Sequence, residues 1–374
     1  TPCPEGWVEV PPATEDEVPT CDPWPSGGPA VLTPCPDGWR EVPDPGTGVP
    51  VCDPWPSTGR LDCADDEAHF PGETGCSRIG SACPVGDWAE DLPSGATVLY
   101  VKAGAASGGD GSPAAPFARI ADAVAASAPD TVIAVGKGSY DEEISVPARV
   151  TIWGACVAET VIGRSTSSDT LGTINARGRD GVVRNLRLAG ERAGVWVSGL
   201  RSLDLQDVVI DDAKFAAVVA GEGARITGRN VVLRDTRPDD ASGMFGRALQ
   251  VADGAQVELT RAAVFGNREF GLFVNDPEST LVLTDAVVRD PDEMVYGSDF
   301  GRGLAVQDGG HATCTRTVFG GNREIGVSAD GTGAVVELLD SVVRDTRSGA
   351  RAQDWGFGLY AQLGGRVVAS RTLV

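Results

Sequence analysis

The chain has 374 residues, and its 53 acidic against 31 basic side chains leave a net charge of -22 and a pI near 4.4. That balance excludes nucleic acid and anionic membrane as main partners, since both need basic patches, and no stretch approaches the roughly 18 to 20 apolar residues of a membrane span. Seven of the nine cysteines fall in the first 83 residues, the clustering of a disulfide-stapled extracellular module, so the chain is expected to be secreted or to stand on a cell surface, although it does not open with a signal peptide.

Residues 1–60 repeat themselves. Thr1-Pro-Cys-Pro-Glu-Gly-Trp7 is echoed by Thr33-Pro-Cys-Pro-Asp-Gly-Trp39, and Cys21-Asp-Pro-Trp-Pro25 by Cys52-Asp-Pro-Trp-Pro56. Fifteen of the 25 prolines lie in residues 1–56, too many for helix or central strand. Two loop-rich beads closed by Cys3 to Cys21 and by Cys35 to Cys52 are expected, strung as a stalk. Trp7, Trp24, Trp39 and Trp55 serve either as a small core beside each disulfide or as a ligand surface, and the former is preferred. Residues 61–95 carry Cys63, Cys76 and Cys83, whose spacing does not match paired zinc ligands. The odd count leaves one thiol for a distant partner such as Cys156, or for none. His69 is expected at the surface.

From residue 96 the pattern changes. Thr97-Val-Leu-Tyr-Val-Lys102 is a strand, and Gly108-Gly-Asp-Gly-Ser112 tips a loop. Phe117, Ile120, Ala121, Val124 and Ala125 recur at helical spacing, predicting a helix over 117–128 with one apolar stripe. Short apolar runs separated by breakers follow, at Thr131-Val-Ile-Ala-Val135, Ile144-Ser-Val146, Val150-Thr-Ile-Trp-Gly154 and Thr160-Val-Ile162, and suit strands that bend at every corner.

This succession, from Leu99-Tyr-Val through Gly108-Gly-Asp-Gly-Ser112, Pro116-Phe-Ala-Arg-Ile120, Val132-Ile-Ala-Val135 and Gly138-Ser-Tyr140 to Val150-Thr-Ile-Trp-Gly154, resembles the start of secreted bacterial right-handed parallel β-helix proteins of the pectate-lyase-like superfamily. The resemblance covers residues 97–374 and implies an all-β solenoid whose first coil is capped by the helix, protecting an edge that would otherwise pair with other chains. It does not specify an activity, because one fold hosts many. The expected organisation is beads over 1–60, a cysteine module over 61–95, a strand and capping helix over 96–130, and the β-helix over 131–374, continuing beyond 374.

The solenoid carries a 55-residue period. Val-Val-Leu-Arg-Asp ends at Asp235 and Val-Val-Arg-Asp at Asp290 and Asp345, while Gly-Asn-Arg-Glu starts at Gly266 and Gly321. Aligning Leu249, Leu272 and Leu304 splits the period into coils of 23 and 32 residues. Alternation along each strand then sends Val257, Leu259, Ala312 and Cys314 inward and Glu258 outward, so Cys314 is a buried, inert thiol. Recurrence also turns polar residues into scaffolding. Asp212, Asn267 and Asn322 form one expected ladder, Asn230, Asp285 and Asp340 a second, and Asp235, Asp290 and Asp345 a third, beside Arg234, Arg289 and Arg344.

The extra residues of the long coils, 236–245, 291–300 and 346–355, leave the solenoid at one place. They bring Phe245, Phe300 and Trp355, then Arg247 and Arg302, among Asp239, Asp240, Asp292, Glu293, Asp299 and Asp354. An aromatic row repeating about 9.6 Å along the axis could bind an extended polysaccharide or cell-surface glycan; alternatively each aromatic packs its own loop on the coil below. The expected role is structural or adhesive, with carbohydrate binding and no required cofactor. The alternative is a calcium-dependent polysaccharide lyase using Arg247 or Arg302 as base beside acidic calcium ligands. A further alternative is a subunit of a polymeric assembly, joined to other subunits through an open coil end.

Overall fold

The computed structural model describes residues 3, 8–11, 20–22 (backbone alone), 32–46, 48–167, 171–240, 242–295, 300–349 and 355–374. From Val98 onward the chain winds through parallel strands stacked into three lengthwise faces. The first face runs from Val98–Val101 through Val132–Val135 and Thr151–Gly154 to Val335–Leu339 and Arg366–Ser370. The second runs from Gly138–Asp141 and Thr160–Arg164 to Val318–Gly320 and Val342–Arg344. The third is a nine-stranded sheet from Ile144–Val146 to Phe357–Gln362. Four strands, Gly181–Gly190, Ser202–Ala213, Arg225–Arg234 and Gln256–Phe265, bend at one residue and serve the first two faces.

Those bends fall on Asn185, Asp207, Asn230 and Arg261, all with φ between 53° and 56°. The left-handed region is one that Asn and Asp enter at small cost. Later coils turn at Asp285, Arg316, Asp340 and Arg371. Each arginine of this corner answers an acid or amide one coil earlier: Arg261 Nε donates to Asn230 Oδ1 at 2.7 Å, Arg316 grips Asp285 with two bonds of 2.5 and 2.9 Å, and Arg371 reaches Asp340 at 2.5 Å. The Asn230, Asp285 and Asp340 file is therefore half of a ladder whose other rungs are arginines of the intervening coils.

Leu249 pairs with Leu272, Leu272 with Leu304, Leu304 with Val327 and Val327 with Leu359, so steps of 23 and 32 residues alternate. One coil earlier, Val218 pairs with Leu249, a step of 31. That missing residue corrects one expectation. Asp211 pairs with Arg234 and Arg234 with Phe265, which puts Asp212 level with Asp235 and Gly266 instead of with Asn267. Asn267 is buried and holds its own corner: Nδ2 donates to the carbonyls of Leu233 and Phe265, and Oδ1 accepts from the Thr236 amide and hydroxyl. Within the coils, Leu259, Leu283, Cys314 and Leu338 stack as register partners, all with 3% or less exposed. Each buried aliphatic side chain contributes about 1.5–3 kcal/mol.

The helix spans Ile120–Ala126, shorter than the 117–128 expected, and buries Ile120 and Ala123, while Ala121 and Ala125 lie outside the buried face. Phe117 and Val124 of the expected stripe pack, partly buried, against the core. Arg119 supplies no side-chain cap, and the buried Glu142 carboxylate accepts from the Ile120 and Ala121 amides at 2.9 and 3.0 Å. The helix packs across the strands Val98–Val101, Val132–Val135 and Ile144–Val146, closing the N-terminal end.

Residues 32–80 correct the stalk expectation. The second face is apolar on its outside, with Val209, Val232, Ala263, Val287, Val318 and Val342 in one file, and against that file pack Trp39, Trp55, Ala68, Phe70 and Ile79. Cys35–Cys52 and Cys63–Cys76 brace this segment, and Cys83–Cys156 anchors its end to the solenoid. Leu32 and Trp39 meet Val342 and Leu373 in late coils, whereas Ser81 bonds Asn185 in an early one. The segment is thus a strap running antiparallel to the solenoid axis. His69 is buried within it, contrary to expectation: Nδ1 accepts from the Leu61 amide at 2.9 Å, so Nε2–H donates to the Glu73 carbonyl at 3.0 Å. Of the first bead, the antiparallel pair Val8–Val10 and Thr20–Asp22 is described; the Cys21 side chain, Trp7 and Trp24 lie outside the described residues.

Candidate functional site

The outside of the nine-stranded face carries aromatic rings along its length. Trp196 stacks on Phe215 with centroids 6.2 Å apart, Phe215 meets Phe245 at 4.5 Å, Phe270 lies 5.1 Å from Phe273 and 5.2 Å from Phe300, and Trp355, Phe357 and Tyr360 form a triangle of 5.1–5.8 Å. Phe245, Phe300 and Trp355 have φ of 67°, 41° and 68°. A bulky residue adopts that conformation when its surroundings repay the strain. Here Phe245 and Phe300 rest on a ring of the coil below, and each is followed by a glycine, Gly246 or Gly301, also at positive φ. Trp355 and Phe357 are the most open, at 42% and 48%.

Arg247 and Arg302 are not exposed ligands. Arg247 is buried and bonds both oxygens of Glu269 at 2.7 and 2.9 Å, with its guanidinium 4.1–5.1 Å from the rings of Phe245, Phe270 and Phe273. Arg302 repeats the arrangement with Glu324 at 2.7 Å and Phe300 at 4.9 Å. Both guanidiniums are thus taken up as struts between coils, each held on a glutamate of the following coil and laid against aromatic rings. Glu269 and Glu324 end the Gly-Asn-Arg-Glu motifs that the 55-residue period exposes. Their constant separation of 22 residues from Arg247 and Arg302 was the signal available for the pairing.

The acidic residues of the loops also disperse. Asp239 accepts from the Ser242 amide and hydroxyl at 2.8 Å, folding its own turn. Asp240 holds Lys214, which also meets Glu191 at 3.4 Å. Asp292 pairs with Arg268 at 3.4 Å. Asp299 and Asp354 lie outside the described residues. Lys214 was not placed in these loops by its sequence position, yet it leans on one. Its hydrogen bond to Asp240 holds its pKa above the usual lysine range, with burial opposing and Glu191 adding to the rise. Among the described residues the one group of three metal-ligand types within reach of one another is Cys83, Cys156 and Glu159, and its cysteines form a disulfide. Among the described residues the loop carboxylates do not gather into such a group.

The charge files have assigned partners. Arg234 meets Asp211 at 3.1 Å and Asp235 at 3.8 Å, Arg289 bonds Asp290 at 2.7 Å, and Arg344 stands 3.7 Å from Asp345.

No protein-family model matches the chain, and no curated protein is similar to it in sequence. Among solved structures it is similar to the crystal structure of pectate lyase Pel9A, at 14% identity and a TM-score of 0.54 over 74% of this chain and 78% of that one. It also aligns with an alginate lyase from Paenibacillus sp. str. FPU-7 (14% identity, TM-score 0.37, 68% of this chain and 95% of that one) and with a rhamnogalacturonan lyase (10%, 0.35, 67% and 75%). The first likeness defines the class of protein: a right-handed parallel β-helix with the fold of that pectate lyase. Likeness at this identity is one of fold.

Proposed function

We propose that the protein is an extracellular glycan-binding element whose ligand lies along the outer aromatic row of the nine-stranded face. The observation that carries this reading is the row itself, which extends from Trp196 to Tyr360 and opens at Trp355 and Phe357. Flat rings in line offer stacking surfaces to the apolar faces of successive sugars, and the coil repeat spaces them about 9.6 Å apart at every second turn. The buried Arg–Glu struts keep the strands beneath in register, so the rings are held before any ligand arrives. Three described disulfides support an oxidising, extracellular location, and no helix among the described residues is long and apolar enough to cross a membrane.

The test is a glycan array probed with the wild-type chain and with Trp355→Ala/Phe357→Ala. Saturable binding lost by at least tenfold in the double variant supports the reading, and unchanged binding overturns it. The lyase reading rests on the one lysine held among loop carboxylates, Lys214 with Asp240 and Glu191. In this arrangement Lys214 is a protonated acid and could accept a proton solely after those partners were withdrawn. Absorbance of unsaturated products from uronate polymers, with and without calcium and with Lys214→Ala, decides it: the binding reading expects none.

A further inference from the structure

A rung is missing from the arginine file on the outside of the second face. Arg234, Phe265, Arg289, Gly320 and Arg344 occupy successive coils in one register. Phe265 fills the interval between the first two arginines, and the guanidiniums of Arg234 and Arg289 stand 6.0 and 4.2 Å from its ring. In the next repeat the equivalent position is Gly320, where a Cβ would meet nothing within 4 Å. The interval between Arg289 and Arg344 is consequently a cavity of about 150 Å³, into which Arg60 of the strap and Arg347 of the long loop also face.

The acids at its rim are Asp290 and Asp345. Each lies next in sequence to the arginine it pairs with and is more than half exposed, as is Asp62 beside Arg60. Such solvated pairs neutralise weakly and leave guanidinium N–H groups directed elsewhere. Arg347 has no ionic partner among the described residues. In a chain of net charge -22, four arginines on one small cavity are out of keeping with the surface as a whole. Burial, and after it the like charge of Arg60, hold Arg289 below the ordinary arginine pKa while Asp290 and Asp62 oppose, as expected of a desolvated cation.

We propose that this gap binds one tetrahedral oxyanion, a sulfate or phosphate group, either free or as the ester end of a larger molecule. Arginines line it from the coil on either side, from the strap and from the loop. A tetrahedral anion presents acceptors in all of those directions, whereas a carboxylate presents them in one plane. The inference is independent of the aromatic row, which belongs to the third face.

Isothermal titration with inorganic sulfate, inorganic phosphate, glucose 6-phosphate and acetate, at constant ionic strength, tests it on the full chain. Saturable binding of the tetrahedral anions is expected. It should be abolished in Gly320→Phe, which restores the missing ring at a position with room for it, and weakened at least fivefold in Arg347→Ala, an exposed position that should leave folding intact. Ester binding tenfold tighter than inorganic phosphate would assign the ligand to an ester; equal affinities would assign it to the free ion. Acetate binding as tightly as sulfate, no saturable binding of any anion, or wild-type affinity in Arg347→Ala would overturn the proposal.

Discussion

At the scale of single residues, the most consequential pairs are Arg247 with Glu269 and Arg302 with Glu324. Removing one member of a buried ion pair leaves its partner charged and desolvated, at a cost of about 3–5 kcal/mol. Glu269→Ala should therefore lose about that much in denaturant unfolding; a loss below about 1 kcal/mol would mean that Arg247 finds solvent. Cys314 gives a second test. Burial alone raises its thiol to a pKa of about 12, so the folded state keeps it protonated where an unfolded thiol, with its ordinary pKa of 9.0, ionises. Stability supplied by this group is complete below about pH 9 and falls as pH rises from there to about 12. Native protein at pH 8 should leave Cys314 unlabelled by iodoacetamide, with peptide mapping showing labelling after denaturation. A residue-level reading of the sequence reached Cys314 correctly, since strand alternation alone places it inward. It missed His69, because a buried ring bonded at both nitrogens depends on Leu61 and Glu73 folding around it.

At the scale of elements, the strap and the second face are one structure. The Val-Val repeats supply apolar side chains on both sides of that face: Val231, Val264 and Val288 point into the solenoid core, while Val232, Ala263 and Val287 meet the strap. Two consecutive apolar residues in a strand are what a sheet covered on both sides requires, so the sequence did contain a sign that something covers this face. What covers it could not be read, because the strap's tryptophans are equally suited to a self-contained bead. Trp55 is 3% exposed, and Trp55→Ala should cost about 3–5 kcal/mol and raise binding of a hydrophobic dye along the uncovered valine file. The capping helix offers a smaller test. Glu142→Ala removes acceptors from two first-turn amides, and a loss of about 1–2 kcal/mol is expected by the scale of helix caps; amide exchange at Ile120 and Ala121 should accelerate with it.

At the scale of the whole molecule, the solenoid is a row of coils that each stabilise their neighbours, tied along one side by a disulfide-anchored strap. Reduction of Cys83–Cys156 should therefore lower the thermal midpoint more than loss of a local loop would, because this bond closes a span of 73 residues. A midpoint unchanged by reduction would show that the valine contacts suffice. The strap packs on the second face, while the aromatic row runs along the third.

The amino-acid sequence by itself determined the coil. Period, inward alternation and corner residues are local or repeat-to-repeat properties, and a solenoid has few long-range contacts beyond them. It also marked Phe245, Phe300 and Trp355, because they recur at 55 residues. The sequence could not show that Arg247 and Arg302 are consumed by Glu269 and Glu324, that Trp196, Phe215 and Phe273 extend the row, or that Lys214 reaches Asp240. It also could not show that Asp212 slips out of its file through a coil one residue short. Those facts depend on which side chains the stacking of successive coils brings within a few ångströms, and on a strap folded back from residues far away in the chain. Only the tertiary structure decides such contacts, because their partners share no local pattern.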